Sequence, residues 1–232
     1  MFNLLSHPGS NPKLAKGDKK GKYLTASLSL APSKLSGVDL CPHASPACRR
    51  ACLNMCGRGR FDKTQAARLR KSKLFNEQRQ TFITLLMGDI ARFVRYCEKR
   101  NVLPAVRLNT FSDIRWEEVA PQVFSTFPNV QFYDYTKDAE RCMKSYKLPA
   151  NYHLTFSRSE VNSKDVSRVL RSGKCNVAVV FRFEDKIPPT FGGRPTIGGD
   201  DDDLRFADPS GVVVALKAKG SKAKADKSGF VV

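Results

Sequence analysis

One rhythm constrains this chain more than any other feature. From Pro104 onward, short apolar or aromatic runs recur and most close on polar residues: AVRLN (105–109) then TFSD, VQFYDY (130–135) then TKD, YHLTF (152–156) then SRSE, and VAVVF (177–181) then RFED. Stretches suited to short helices lie between them, such as Trp116–Phe124 and Lys164–Leu170. Strands alternating with helices predict parallel α/β layering, and in such folds the carboxyl ends of the strands carry the site. Upstream, Leu24–Leu30 alternates apolar with small polar residues and reads as a first strand; Val212–Leu216 reads as the last. Lys63–Arg100 has helical periodicity, with Leu86, Ile90, Phe93, Val94 and Cys97 on one apolar stripe. Its basic opening, Arg68–Lys73, is expected to be a solvated face.

The polar endings supply candidate site residues. Gathered at one mouth they comprise Asn109, Ser112, Asp113, Asp134, Tyr135, Ser157, Arg158 and Glu160. Carboxylates there suit a cation or an amino group, and Arg158 suits an anion. Taken singly, Ser112 and Asp113 fit helix caps ahead of Trp116, where side-chain oxygens accept orphan amides. Four consecutive acids, Asp200–Asp203, alternate sides on an extended chain and cannot all converge on one ion, so a solvated loop is expected. Tyr133 and Tyr135 share a strand face and are expected to pack in the core.

Four of the seven cysteines crowd into one stretch, Cys41, Cys48, Cys52 and Cys56, spaced C-x6-C-x3-C-x3-C. The N-terminus lacks the charged head and apolar stretch of a signal peptide, so a soluble intracellular protein is expected, in which clustered thiols point to a metal. On one helix Cys48, Cys52 and Cys56 would stand in a row, so some must sit where the chain turns. Thiolates bind soft metals and clusters, and structural zinc prefers C-x2-4-C knuckles, which makes the six-residue gap atypical for zinc. Three thiolates leave one iron open to a small ligand, and a fourth from Cys56 closes it. His43 reads as a loop residue. Gly57-Arg58-Gly59-Arg60 suits an anion, with Arg58 as its candidate ligand. Cys97, Cys142 and Cys175 lie far apart and read as ordinary small side chains.

Charge is uneven. Of a net +18, residues 1–100 hold 20 basic and 6 acidic side chains, a net +14. Such a face attracts polyanions, so nucleic acid is a candidate partner. No apolar run approaches the ~18–20 residues of a membrane span, so no membrane partner is expected. Length and composition suit a basic arm over 1–22, one α/β domain over 23–220 containing the cysteine loop 41–60, and a flexible basic tail over 221–232. No G-x-S-x-G, P-loop or H-E-x-x-H motif is present.

Many of these residues fall in a specific order: Asn11-Pro-Lys13-Leu14, Ser29–Pro32, Cys41-Pro42, Cys48, Cys52-Leu53, Gly57-Arg58-Gly59 and Arg68, then Arg107-Leu-Asn109, Ser112-Asp113, Trp116 and Phe132–Thr136, then Asn151–His153, Thr155–Arg158, Glu160, Gly199-Asp200, Asp203–Arg205, Asp208 and Lys217–Gly220. Across nearly the whole chain this pattern resembles the phage gene product 88 domain family, which is defined by sequence. The resemblance implies three cysteines, Cys41, Cys48 and Cys52, ahead of a partial, open β/α barrel similar to the radical S-adenosylmethionine core. It implies a 4Fe-4S cluster, S-adenosylmethionine as a candidate ligand, and residence in the cytoplasm of the infected bacterial host. The expected function is redox or radical-type chemistry on a small molecule or a nucleic-acid-derived substrate. The metal ligands are then Cys41, Cys48, Cys52 and Cys56, and the cofactor-binding candidates Arg58, Asn109, Asp113, Asp134, Arg158 and Glu160. The alternative is a basic nucleic-acid-binding protein whose cluster or zinc is structural.

Overall fold

The apolar runs become strands because each alternates a core-facing with an opposite-facing residue. The computed structural model describes residues 3–6, 21–182 and 187–232. Asn11, Lys13, Leu14 and most of the expected basic arm lie outside the described residues, as does the 183–186 stretch following VAVVF. The strands are β1 (Leu5–Ser6), β2 (Tyr23–Leu28), β3 (Leu103–Arg107), β4 (Gln131–Thr136), β5 (Tyr152–Ser157), β6 (Val177–Phe181), β7 (Thr190–Phe191), β8 (Arg194–Gly198) and β9 (Val213–Lys217). They form one open sheet in the order β1-β2-β3-β4-β5-β6-β9-β8-β7. From β2 through β8 every neighbour is parallel, and antiparallel β1 and β7 form the edges.

The helices are α1 (Pro46–Arg50), α2 (Asp62–Glu77), α3 (Arg79–Glu98), α4 (Trp116–Val119), α5 (Pro121–Thr126), α6 (Ala139–Met143), α7 (Ser163–Ser172) and α8 (Ser221–Lys224). The helical stretch expected over 63–100 is thus two helices, broken at Gln78. In α3 Phe82, Leu86, Ile90, Phe93 and Cys97 are buried, following the predicted stripe. They share the main core with Leu24, Ala26 and Leu28 of β2, Val106 of β3, Phe132 of β4, Leu154 and Phe156 of β5, and Val177 and Val179 of β6. Each large apolar side chain so buried contributes about 1.5–3 kcal/mol. Trp116 joins Phe75 and Phe82 in an aromatic cluster at ring separations of 5.4 and 6.3 Å.

The other sheet face is closed by the chain itself. Residues 202–206 lie against it. Phe206 meets the rings of Tyr23 and Tyr133 at 5.0 and 5.3 Å, and Asp203 pairs with Arg107 at 2.6 Å. Tyr133 is fully buried, in accord with core packing. The acid run therefore differs from the solvated loop expected: only Asp201 is exposed, while Asp202 and Asp203 are buried beside Arg205. The counter-charges are the reason, since Arg107 and Arg205 must themselves be neutralised on this face.

Both chain ends of the described region also pack. Leu4 and Leu5 are buried, their amides donating to the Asp89 carboxylate at 2.6 and 3.0 Å. Residues 221–232, read as a tail, return to the sheet: Phe230 and Val231 are buried, and Val231 bridges to Val180 of β6.

A cysteine segment at the carboxyl rim

The cysteine segment lies across the carboxyl ends of the parallel strands, fixed at four places. Next to β3, the Cys41 thiol donates to Phe111 O at 3.0 Å, and Asp113 N donates to Leu40 O at 2.8 Å. Beyond β2, Ser33 N donates to Cys41 Sγ at 3.4 Å. Beyond β5, Glu160 takes Ser45 Oγ at 2.6 Å and Ala47 N at 2.9 Å, while Ser45 itself caps α1 through Cys48 N. Beyond β9, Cys56 Sγ lies 3.9 Å from Lys219 O, and a Cβ built on Gly220 would sit 2.6 Å from that sulfur.

The chain turns as the cysteine spacing requires. Cys48 is on α1, which ends at Arg50; Cys52 and Cys56 precede the short turns Leu53–Met55 and Gly57–Arg60. Arg68 locks the first of these turns by donating to Asn54 O and Asn54 Oδ1 at 2.9 and 2.6 Å and reaches Gly59 O of the second at 3.3 Å, with its guanidinium 4.3 Å from the Phe111 ring centre. Arg68–Lys73 is accordingly not one solvated face: Arg68 and Lys71 turn inward, and Lys71 Nζ donates to Leu4 O.

Burial pushes the Cys41 thiol up to about 12, with Cys52, Asp113 and Cys48 adding to the rise. Cys52 is raised for the same reason, and by Cys48 and Cys56, against hydrogen bonding from Asn54 and the charge of Arg68. The four thiols are therefore electrostatic neighbours. Among the described residues, no group of three or more His, Cys, Asp and Glu side chains is placed to hold a metal ion.

The remaining candidates fall into two groups. Asn109, Asp113 and Asp134 brace the loops behind the rim. Asp134, fully buried, accepts from Asn109 N at 2.6 Å and Tyr152 OH at 2.7 Å, and burial lifts its carboxyl to about 7 despite these bonds and nearby Arg107 and Arg141. Asn109 Oδ1 receives Ser112 Oγ, Ile114 N and Trp116 Nε1. Asp113 receives Lys137 N at 2.8 Å and pairs with Arg141 at 3.1 Å. Ser112 and Asp113 thus do not cap α4; its preceding residue is Arg115, with no side-chain cap. The second group stands at the rim. Glu160 holds α1; burial raises its carboxyl, but the hydrogen bonds from Ser45, Ala47 and its own amide together leave it below the usual carboxylate range. Arg158 donates to Gly229 O at 2.7 Å, and Ser157 Oγ contacts Lys137 Nζ at 2.8 Å. Tyr135 OH donates to Asp203 Oδ1 at 3.3 Å on the inner sheet face, and Arg58 is exposed. His43, also exposed, lies 3.5 Å from Asp138.

Sequence reasoning missed Arg68, Glu117, Asp138 and Arg141. Arg141 is buried and forked onto Glu117 by two bonds of 2.7 Å. An Arg in a short helix leaves no local signal of such a partner. Cys142 and Cys175, isolated in sequence, are both buried, and Cys175 together with burial pushes the Cys142 thiol up.

These features define an open, mostly parallel α/β protein with a cysteine-bearing carboxyl rim. The chain belongs to the phage gene product 88 family, whose model matches residues 3–232. No curated protein and no solved structure matches it. The further likeness to radical S-adenosylmethionine proteins has no support in these comparisons. Among the described residues no helix is long and apolar enough to cross a membrane.

Proposed function

We propose that this chain is an iron–sulfur protein in which Cys41, Cys48 and Cys52 hold a 4Fe-4S cluster at the mouth of a half-open β/α barrel. The observation that carries the reading is the position of the cysteine segment, tied to the loops after β2, β3, β5 and β9. In parallel α/β folds that rim is where ligands bind.

The donor set fits a cluster better than a zinc ion. A tetrahedral zinc draws its sulfurs to about 2.3 Å from one point. A cubane is larger, and its thiolates stand apart around it. An all-thiolate donor set with a six-residue first gap is the ground for preferring the cluster. Held by Cys41, Cys48 and Cys52, the cluster would supply electron-transfer chemistry to a bound ligand, which in the finer form of the proposal is S-adenosylmethionine. The chain's own residues keep the loop in place: Glu160 anchors α1, Arg68 fixes the turn after Cys52, and Gly220 admits Cys56. Cys56 as a fourth ligand would close the site. A reducing compartment such as the host cytoplasm suits seven free thiols.

Anaerobically purified protein is expected to be brown, with iron and acid-labile sulfide in equal amounts. The combined Cys41→Ala, Cys48→Ala, Cys52→Ala variant is expected to lose both and keep its far-ultraviolet circular dichroism. Iron retained by that variant, or a colourless zinc protein, would overturn the assignment. The second reading is nucleic-acid binding with a structural metal. It is favoured by exposed Arg58, Arg60 and Lys63 beside the cysteines.

A further inference from the structure

Large apolar side chains are seldom left in water beside a run of charge unless something covers them. Leu53, Met55 and Phe61 are 46%, 54% and 56% exposed, all within one nine-residue stretch that contains Cys56. Arg58 and Arg60 are exposed between them. Cys56 abuts Gly220, which places this segment beside α8 and a cleft of about 440 Å³ between α1 and α8. Arg50, Lys222 and Lys227 line that cleft. Its one acid, Asp226, is occupied by Ser228 Oγ at 2.7 Å and Val231 N at 3.1 Å. Among the described residues Arg50 faces the charge of Asp226 across the cleft without a close ion pair, and Arg58, Arg60, Lys222 and Lys227 show no ion pair with an acid.

We propose that this surface binds single-stranded nucleic acid, with phosphates on Arg50, Arg58, Arg60, Lys222 and Lys227 and a base stacked on Phe61. Unpaired cations in and beside a cleft complement a flexible polyanion, and an exposed ring gives a base its platform. A lipid surface would need an amphipathic helix. Leu53 and Met55 instead sit on a single tight turn and Phe61 just before α2. The inference deepens the proposed function by naming the substrate class that reaches the rim, and it rests on that reading only for the chemistry.

The test is fluorescence anisotropy of the full chain with a labelled single-stranded 20-nucleotide oligomer across a salt series. Phe61→Ala is expected to weaken binding about tenfold with an unchanged salt slope, as loss of one stacked base predicts. Arg58→Ala with Arg60→Ala is expected to lower the slope of log K against log salt by about 1.4, or 0.7 per lost phosphate contact. Arg95→Ala with Lys99→Ala, at the far end of α3 from the rim, is expected to change neither. Parental affinity in Phe61→Ala, an equal loss in the Arg95/Lys99 variant, or preference for anionic phosphatidylserine vesicles over the oligomer would overturn the proposal. Iron and sulfide are measured on every sample. Oligomer binding that survives the triple cysteine variant separates failure of the cluster from failure of this surface.

Discussion

Gly220 carries two separate burdens, and a double-mutant cycle divides them. Its backbone has φ 83° and ψ 156°, a region essentially reserved for glycine, and a Cβ there would lie 2.6 Å from Cys56 Sγ. Gly220→Ala therefore incurs backbone strain of about 1–3 kcal/mol, whatever its neighbours do. The overlap with sulfur adds a further cost on the scale of overpacking, about 1–3 kcal/mol. Shortening Cys56 to Ala removes the sulfur but leaves the backbone term, because the Cys56 Cβ is an ordinary 3.8 Å away. In reduced, metal-free protein, urea unfolding should show Gly220→Ala costing about 2–6 kcal/mol alone. In the Cys56→Ala background the cost should fall by at least 1 kcal/mol, well above the ~0.5 kcal/mol at which sites count as independent. Additive effects would refute the close approach of these two residues, and with it the placement of Cys56 against the loop after β9.

Two further perturbations test the buried polar bracing. The Asp134 carboxyl rises from 3.8 to about 7 in the fold, chiefly through burial, so the native state holds its proton more tightly than the unfolded chain. Stability should then fall as pH rises from about 4 to 7, by at most ~1.4 kcal/mol per unit, and level off above. Asp134→Asn should gain on the parent steadily across that window in urea titrations, and a pH-independent difference between the two proteins would remove burial as the cause. Arg141→Ala leaves Glu117 and Asp113 without their counter-charge, and stripping one partner from a buried ion pair costs about 3–5 kcal/mol. Calorimetric unfolding measures it, and a loss below 1 kcal/mol would contradict the geometry.

The regular strands were legible because burial on both faces leaves short apolar runs with clear ends. β2, β3, β4, β5, β6 and β9 all fall where the runs are. The edge elements were not. β7 and β8 lie in PTFGGRPTIG, where two prolines and the Gly192-Gly193 turn, both at positive φ, hide any alternation. β1 is two residues long and depends on Asp89, 84 or 85 positions away. The cysteine loop was readable as a loop from its spacing alone, since one helix would have spread its sulfurs in a row. Its fastenings were not readable. Arg68, Glu160 and Gly220 act on it from distant parts of the chain, and only the three-dimensional arrangement shows it. The acid run misled for a related reason: sequence gives the charges of Asp202 and Asp203 but not the arginines that wait for them.

Arg205 and Phe206 fill the hollow of the sheet from within. Among the described residues that face is therefore taken up by the chain's own side chains, and the ligand of the proposed function would meet the protein at the rim, on the segment that carries the cysteines. Under the nucleic-acid proposal, a site at the rim would set no upper limit on the length of the polymer, which could present one unit at a time while the rest trails in solvent.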